Sequence, residues 1–238
     1  MKLSFGSLEP AIFVKRDNRF RVEIEIEGVR YKAHVANSGR MAELLVAGAA
    51  AWVRRSHDAQ RKTPYDLVLI EHEGELICLN AHLANDILAF WLKEHLLTEF
   101  EAATAFRREK VHGDSRFDFE LSFGEAICLL EVKSVNLVVD GEARFPDAPT
   151  VRGTKHVREL TDYQLAGGQS AIVFIVMRQD AECFAPNAAT DPDFAQALAE
   201  AAAAGVLIRV YRCGIDTEGV SFAGRIEEVR LTPEVKER

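Results

Sequence analysis

Apolar and polar positions alternate one for one near the start of the chain. Phe20, Val22, Ile24 and Ile26 interleave with Arg19, Arg21, Glu23, Glu25 and Glu27, the period of a strand with one buried face. Gly28 marks a turn. Val29, Tyr31, Ala33 and Val35 then alternate with Arg30, Lys32 and His34, which predicts a hairpin. Asn37-Ser38-Gly39 interrupts the pattern, as such residues do at loops. A helical turn over 41–45 and strands over 50–55, 67–71 and 76–80 follow. Five short strands within residues 1–80 predict a small barrel, with the OB-fold as leading candidate. The aromatics Phe20 and Tyr31 fall on the core side by parity.

The texture changes near Asn80. Residues 81–100 read as a helix, with Leu83, Ile87, Phe90, Trp91 and Leu97 at its apolar positions. Strands are expected over 105–110, 116–121 and 126–132, then an irregular stretch over 140–151 holding Pro146 and Pro149. A helix over 154–166 closes at Gly167-Gly168. The β-branched run 170–177 reads as a central strand. Asp191 caps a further helix with Pro192 at its first position, ending at Gly205, and 206–211 is a last strand. The fold expected is α+β: a barrel domain over 1–80 and a mixed α/β domain over 81–238, with a sheet covered by helices.

The net charge of −8 argues against a protein that coats nucleic acid wholesale. Residues 1–80 are nonetheless near neutral, with 12 Lys+Arg against 11 Asp+Glu, and their cations cluster. A local basic surface still attracts a polyanion, since fields are screened over about 8–10 Å. Cys78, Cys128, Cys183 and Cys213 lie in or beside apolar runs and form no CxxC pair. They read as reduced and buried, in a cytoplasmic protein. Met1-Lys2-Leu3-Ser4-Phe5 has no leader-like apolar stretch, and no apolar run reaches the roughly 18 residues of a membrane span.

The chemistry concentrates in two strands. In Ser115-Arg116-Phe117-Asp118-Phe119-Glu120-Leu121, Phe117, Phe119 and Leu121 share one face and Arg116, Asp118 and Glu120 the other. Glu131 follows 13 residues after Asp118, in Leu129-Leu130-Glu131-Val132-Lys133-Ser134. Both faces are apolar through Leu130, so Glu131 and Lys133 project together from the end of a buried strand. Ionised groups there need compensation. A divalent cation supplies it: two carboxylates, a backbone oxygen and water are hard ligands suited to Mg²⁺ or Mn²⁺. The alternative is a structural ion pair of Lys133 with Glu131 or Asp118. The spacing after a helix and a strand resembles the PD-(D/E)xK nuclease superfamily, which implies a restriction-endonuclease-like domain with Asp118, Glu131 and Lys133 as catalytic residues and Asp118 and Glu131 on the metal.

Asp147, Arg152, Lys155, His156 and Glu159 are supporting candidates, for phosphate contact or for holding the metal ligands; the other reading is a solvated helix face. His156 is a packed histidine or a ligand. Glu109 is a further ligand or a partner of neighbouring cations. In the barrel, Lys15, Arg16, Asn18 and Arg19, then Asn37, Ser38 and Arg40, then Arg61 and Lys62 could contact phosphate, or be ordinary barrel surface.

Several runs together resemble the sugar fermentation stimulation protein family (SfsA). They are Phe13-Val14-Lys15-Arg16, Asn18-Arg19-Phe20, Asn37-Ser38-Gly39-Arg40-Met41, Arg61-Lys62-Thr63, Asn80-Ala81 with Ala84-Asn85, Ser115 to Phe119, Glu131 to Ser134, Phe145 to Thr150, and Arg152 to His156. The resemblance implies an N-terminal OB-fold, a PD-(D/E)xK-like domain, non-specific DNA binding and a role in sugar, notably maltose, utilisation. Two readings follow. One is a metal-dependent nuclease that places DNA on the barrel, as a monomer or a homodimer. The other is a non-catalytic DNA-binding regulator that uses the nuclease fold as a scaffold.

Overall fold

The computed structural model describes residues 1–58 and 60–231. In chain order the strands of the first part are β1 (Lys2–Ser4), β2 (Glu9–Asn18), β3 (Arg21–Ile26), β4 (Val29–His34), β5 (Ala50–Arg55), β6 (Tyr65–His72) and β7 (Glu75–Cys78). Strands β2, β3 and β4 are antiparallel neighbours, β2 continues through β5 to β6, and β4 meets β6 in parallel at Ala33 and Tyr65. That last pairing closes a five-stranded barrel, the expected OB-fold. The strand set differs by one. β7 hangs outside the closure on β6, and the fifth barrel strand is instead β2, between β3 and β5, which escapes the alternation. Its inward positions Ala11 and Phe13 are buried, but exposed Ile12 breaks the polar side of the pattern.

Phe13, Val22, Ile24, Ala33, Val35, Val53 and Leu67 fill the barrel. Glu27 and Gly28 both have positive φ, 50° and 78°, the requirement of a tight hairpin turn matched to strand twist. Phe20 corrects the parity reading. β3 begins at Arg21, so Phe20 belongs to the preceding turn and leaves its ring 47% exposed. Tyr31 packs edge-on against Tyr65 at 5.3 Å.

The second part comprises α1 (Leu83–Lys93), β8 (Ala105–His112), β9 (Ser115–Phe123), β10 (Ala126–Val135), β11 (Leu137–Val139), β12 (Glu142–Phe145), α2 (Val151–Leu165), β13 (Gln169–Val176), β14 (Cys183–Pro186), α3 (Pro192–Ala203), β15 (Leu207–Ile215), β16 (Gly219–Arg225) and β17 (Glu228–Val229). A seven-stranded mixed sheet runs β1-β16-β15-β13-β10-β9-β8. It includes β1, so the first strand of the chain lies with the second domain although the division at residue 80 puts it with the barrel. Apolar clusters cover both faces: Trp91 and its α1 neighbours on one, Val157, Leu160, Phe194 and Leu198 of α2 and α3 on the other. Among the described residues no helix is long and apolar enough to cross a membrane.

Three boundaries shift. The helix over 81–100 ends at Lys93, because His95 adopts φ 53°, a left-handed conformation that stops a helix. A 3₁₀ turn at Thr98–Phe100 takes up the rest. The irregular 140–151 stretch holds a β11–β12 hairpin turned at Asp140-Gly141, and β12 runs parallel to β14 in a second, four-stranded sheet. Helix α2 starts at Val151, three residues early, because Thr150 Oγ1 accepts from Gly153 N at 3.1 Å. Asp191 caps α3 as expected, accepting from Phe194 N at 3.0 Å, and its other oxygen accepts from Thr150 N at 2.7 Å, tying the two helix starts together.

Candidate metal centre

The site forms where two strands part. The β9–β10 ladder runs from the Phe123–Ala126 pair to the Phe119–Leu130 pair and stops. Beyond it, Val132 N is taken by a side chain: Asp118 Oδ2 accepts from it at 2.8 Å. Asp118 Oδ1 accepts from Asn85 Nδ2 of α1 at 2.7 Å. The divergence also corrects the face assignment of β9. Phe117 joins the core under α2, whereas Phe119 and Leu121 join the core under α1.

Glu131 is buried. Its Oε1 accepts from Lys133 Nζ at 2.6 Å and from His156 Nδ1 at 2.6 Å. His156 Nε2 in turn accepts from Arg152 Nε at 3.4 Å, which assigns the ring proton to Nδ1. Glu131 Oε2 is buried with no hydrogen-bond partner. Such an orphan costs roughly 1–3 kcal/mol or more when charged, so something outside the chain is expected to meet it. Asp118 carries the complementary sign of strain. Burial, and then the Glu131 charge, push its carboxyl up to about 6. Burial acts upward on Glu131 too, but Lys133 and His156 outweigh it and hold that carboxyl below its ordinary value.

A hard divalent cation fits this donor set. It would meet Glu131 Oε2 and relieve the repulsion between the carboxylates. Among the described residues no three His, Cys, Asp or Glu side chains gather as a metal cluster, so Asp118 and Glu131 would share the ion with backbone oxygen and water. His156 has its Nδ1 committed to Glu131; it orients that carboxylate and packs edge-on against Phe117 at 5.7 Å.

The raised Asp118 carboxyl has a pH signature. Between about pH 4 and pH 6 the folded protein keeps a proton there that the unfolded chain has released. Without a cation, stability contributed at this position therefore falls as pH rises through that window. Asp118→Asn is expected to raise the melting temperature of the EDTA-treated protein by a few degrees near pH 8 and to leave it unchanged near pH 4. Thermal scans at the two pH values check this; no gain near pH 8 would rule out charge strain at Asp118.

The carboxylates open into a cleft of ≈ 370 Å³ between the domains. Of the sequence-nominated residues, Arg19, Asn37, Ser38, Asp118, Glu131, Lys133, Asp147, Arg152 and His156 line it. Asp147 lies on the backbone of Gly39, where a β-carbon would come within 2.2 Å of its Oδ2; only glycine permits that approach without moving the carboxylate. The remaining candidates lie outside the lining. Arg16 spends its guanidinium on the Asn18, Arg19, Asn37 and Arg40 carbonyls, and so organises the loops from within. Asn18 Oδ1 accepts from Phe20 N at 3.0 Å. Arg61 is paired with Asp66 at 2.7 Å. Lys15, Arg40 and Lys62 are exposed. Lys155 and Glu159 pair with each other at 3.5 Å along α2, and Glu109 pairs with Arg116 at 2.7 Å. All four cysteines are free and buried, as their apolar surroundings predict.

Two contributors were not among the nominated site residues. Asn85 holds Asp118; its signals are its place in the Ala84-Asn85 run and an amide beside Asp86 in the first turn of a largely apolar helix. Asn136, in Val135-Asn136-Leu137, is buried and bridges the domains. Its Nδ2 donates to Cys78 O at 2.5 Å and its Oδ1 accepts from Asn37 Nδ2 at 2.9 Å. Asn37 Oδ1 then accepts from Gly39 N at 2.9 Å, fixing the barrel loop that faces the carboxylates. A lone amide in an apolar run is a sign of such a buried network.

Comparison with known proteins agrees with this layout. Residues 14–79 match the family described as SfsA N-terminal OB domain, and residues 82–219 match the Sugar fermentation stimulation protein RE domain. A sugar fermentation stimulation protein homolog of Moorella thermoacetica is 44% identical over 219 residues, covering 91% of this chain and 94% of the relative. One from Methanobrevibacter smithii is 41% identical over 221 residues, covering 89% and 92%. A solved structure of Pyrococcus furiosus SfsA in complex with Ca²⁺ superposes with TM-score 0.90 at 29% identity, covering 97% of this chain and 99% of that one.

Proposed function

The chain belongs to the sugar fermentation stimulation protein family, and from that premise we propose that it is a divalent-metal-dependent nuclease acting on the phosphodiester bonds of DNA. The observation that carries the reading is the buried, unpartnered Glu131 Oε2 beside a second carboxylate and a lysine. The Ca²⁺ held by the Pyrococcus furiosus relative supports a hard cation. Mg²⁺ or Mn²⁺, held by Asp118 and Glu131, would polarise the phosphate and lower the pKa of a bound water.

The protein's own groups do the rest. Lys133 Nζ, 2.6 Å from Glu131 Oε1, is placed to orient the attacking water or to offset charge growing on the phosphoryl oxygens. Arg152 holds His156, and His156 holds Glu131, so the carboxylate is fixed before substrate arrives. Arg19, Asn37 and Ser38 bring the barrel to the opposite wall of the cleft, where a guanidinium suits phosphate. Contacts of this kind grip backbone and carry no base code.

The test is incubation of pure protein with plasmid, single-stranded DNA and RNA, in Mn²⁺, Mg²⁺ or EDTA. DNA cleavage that requires the metal is expected. Salt-sensitive DNA binding with no cleavage of any substrate would replace this reading with the non-catalytic, DNA-binding regulator.

A further inference from the structure

We propose that the Arg19-Phe20 turn captures an unpaired nucleotide of single-stranded DNA, with Phe20 stacking on the base and Arg19 binding the adjoining phosphate. The inference rests on the nucleic-acid reading above and specifies the form of the substrate.

The turn is built to hold still. Arg16 Nε donates to Asn18 O at 3.1 Å, and an Arg16 terminal nitrogen donates to Arg19 O at 2.6 Å. Phe20 N donates to Asn18 Oδ1 at 3.0 Å. Phe20 O accepts from Val35 N at 3.0 Å and lies 2.9 Å from His34 Nδ1. Five hydrogen bonds thus fix three residues, yet the turn presents Phe20 to solvent, 47% exposed. A large apolar side chain so held keeps about half of its surface in water, which its partial burial does not offset. One side of it rests near the His34 imidazole, with centroids 6.3 Å apart and an interplanar angle of 32°, and about half of the residue remains exposed.

Position supplies the second argument. Arg19 lines the same cleft as Asp118 and Glu131, and Phe20 is the next residue. Arg40, whose carbonyl the Arg16 guanidinium also holds at 2.6 Å, adds an exposed cation beside the turn. Cation next to aromatic on a barrel surface matches backbone plus base-face recognition of a single strand. Bases inside a duplex are already stacked on their neighbours, so the ring can serve only an unpaired base.

The test uses fluorescence anisotropy in EDTA, which prevents turnover. The probes are a labelled oligothymidylate of about 15 nucleotides, near the upper span of one OB barrel, an abasic strand of equal length, and a duplex. Phe20→Ala is expected to weaken oligothymidylate binding about tenfold, to leave abasic and duplex binding unchanged, and to leave the salt slope unchanged. Phe20→Tyr is expected to restore affinity. Equal affinity of wild type and Phe20→Ala for oligothymidylate overturns the inference, and so does an equal loss on the abasic strand. A change of oligomeric state on sedimentation also overturns it, making Phe20 a contact between copies. Wild type that binds none of the probes overturns the nucleic-acid reading itself.

Discussion

Glu131→Gln is expected to abolish divalent-cation binding and to lower DNA cleavage by about a thousandfold or more, the scale on which electrostatic stabilisation of a transition state acts. The amide keeps the size of the side chain and an oxygen for Lys133 and His156. It removes the charge on the buried, unpartnered Oε2. Lys133→Met separates the two functions. Its amine donates to Glu131 at 2.6 Å and lines the cleft, so its loss should spare cation binding and still lower turnover by about 10²- to 10³-fold. Calorimetry with Mn²⁺ and a cleavage assay on single-stranded DNA, with the same preparations, measure both. Undiminished heats in Glu131→Gln would show that the cation sits elsewhere. Full turnover in Lys133→Met would reduce that residue to a structural ion pair.

Asn136→Ala is expected to cost about 3 kcal/mol of stability, because it strips partners from the buried Asn37 amide and from Cys78 O. Turnover should fall as well, since Asn37 positions the Gly39 loop across the cleft. Urea unfolding reports the first effect and steady-state cleavage the second. A loss below about 0.5 kcal/mol, the range of ordinary surface substitutions, would mean the network does not hold the barrel in place.

The strongly periodic parts of the fold were legible in sequence: the β3–β4 hairpin, the Asp191-Pro192 helix start and the apolar β13 run. Glu131 and Lys133 also stood out, as charged groups in an apolar strand, although β10 continues past them to Val135 and does not end there. Features set by long-range geometry were not. β2 looks irregular until its neighbours show which side is inside. The parting of β9 from β10 sends Phe117 and Phe119 to opposite cores, which no period-two rule contains. Arg16 looks like a phosphate ligand in sequence, and only the folded loops reveal the four carbonyls it serves. Phe20 is the converse: the alternation hides it in a core that β3 enters one residue later.

The placement of β1 has a mechanical consequence. Lys2–Ser4 zips onto β16 at the rim of the large sheet, while the barrel's other end runs straight into α1 through Ala81 N bonded to Ala36 O at 3.0 Å. The barrel is thus strung between two moorings, like a clasp sewn at both ends. Rotation that would open the cleft must break the Asn136 bridge to Asn37 and Cys78, and it strains both the three-residue β1 edge pairing and the short Leu79–Ala81 link. Cutting the chain at the barrel's end would do more than remove the barrel. It would lay bare the β16 edge, and an uncovered edge invites strands from other molecules.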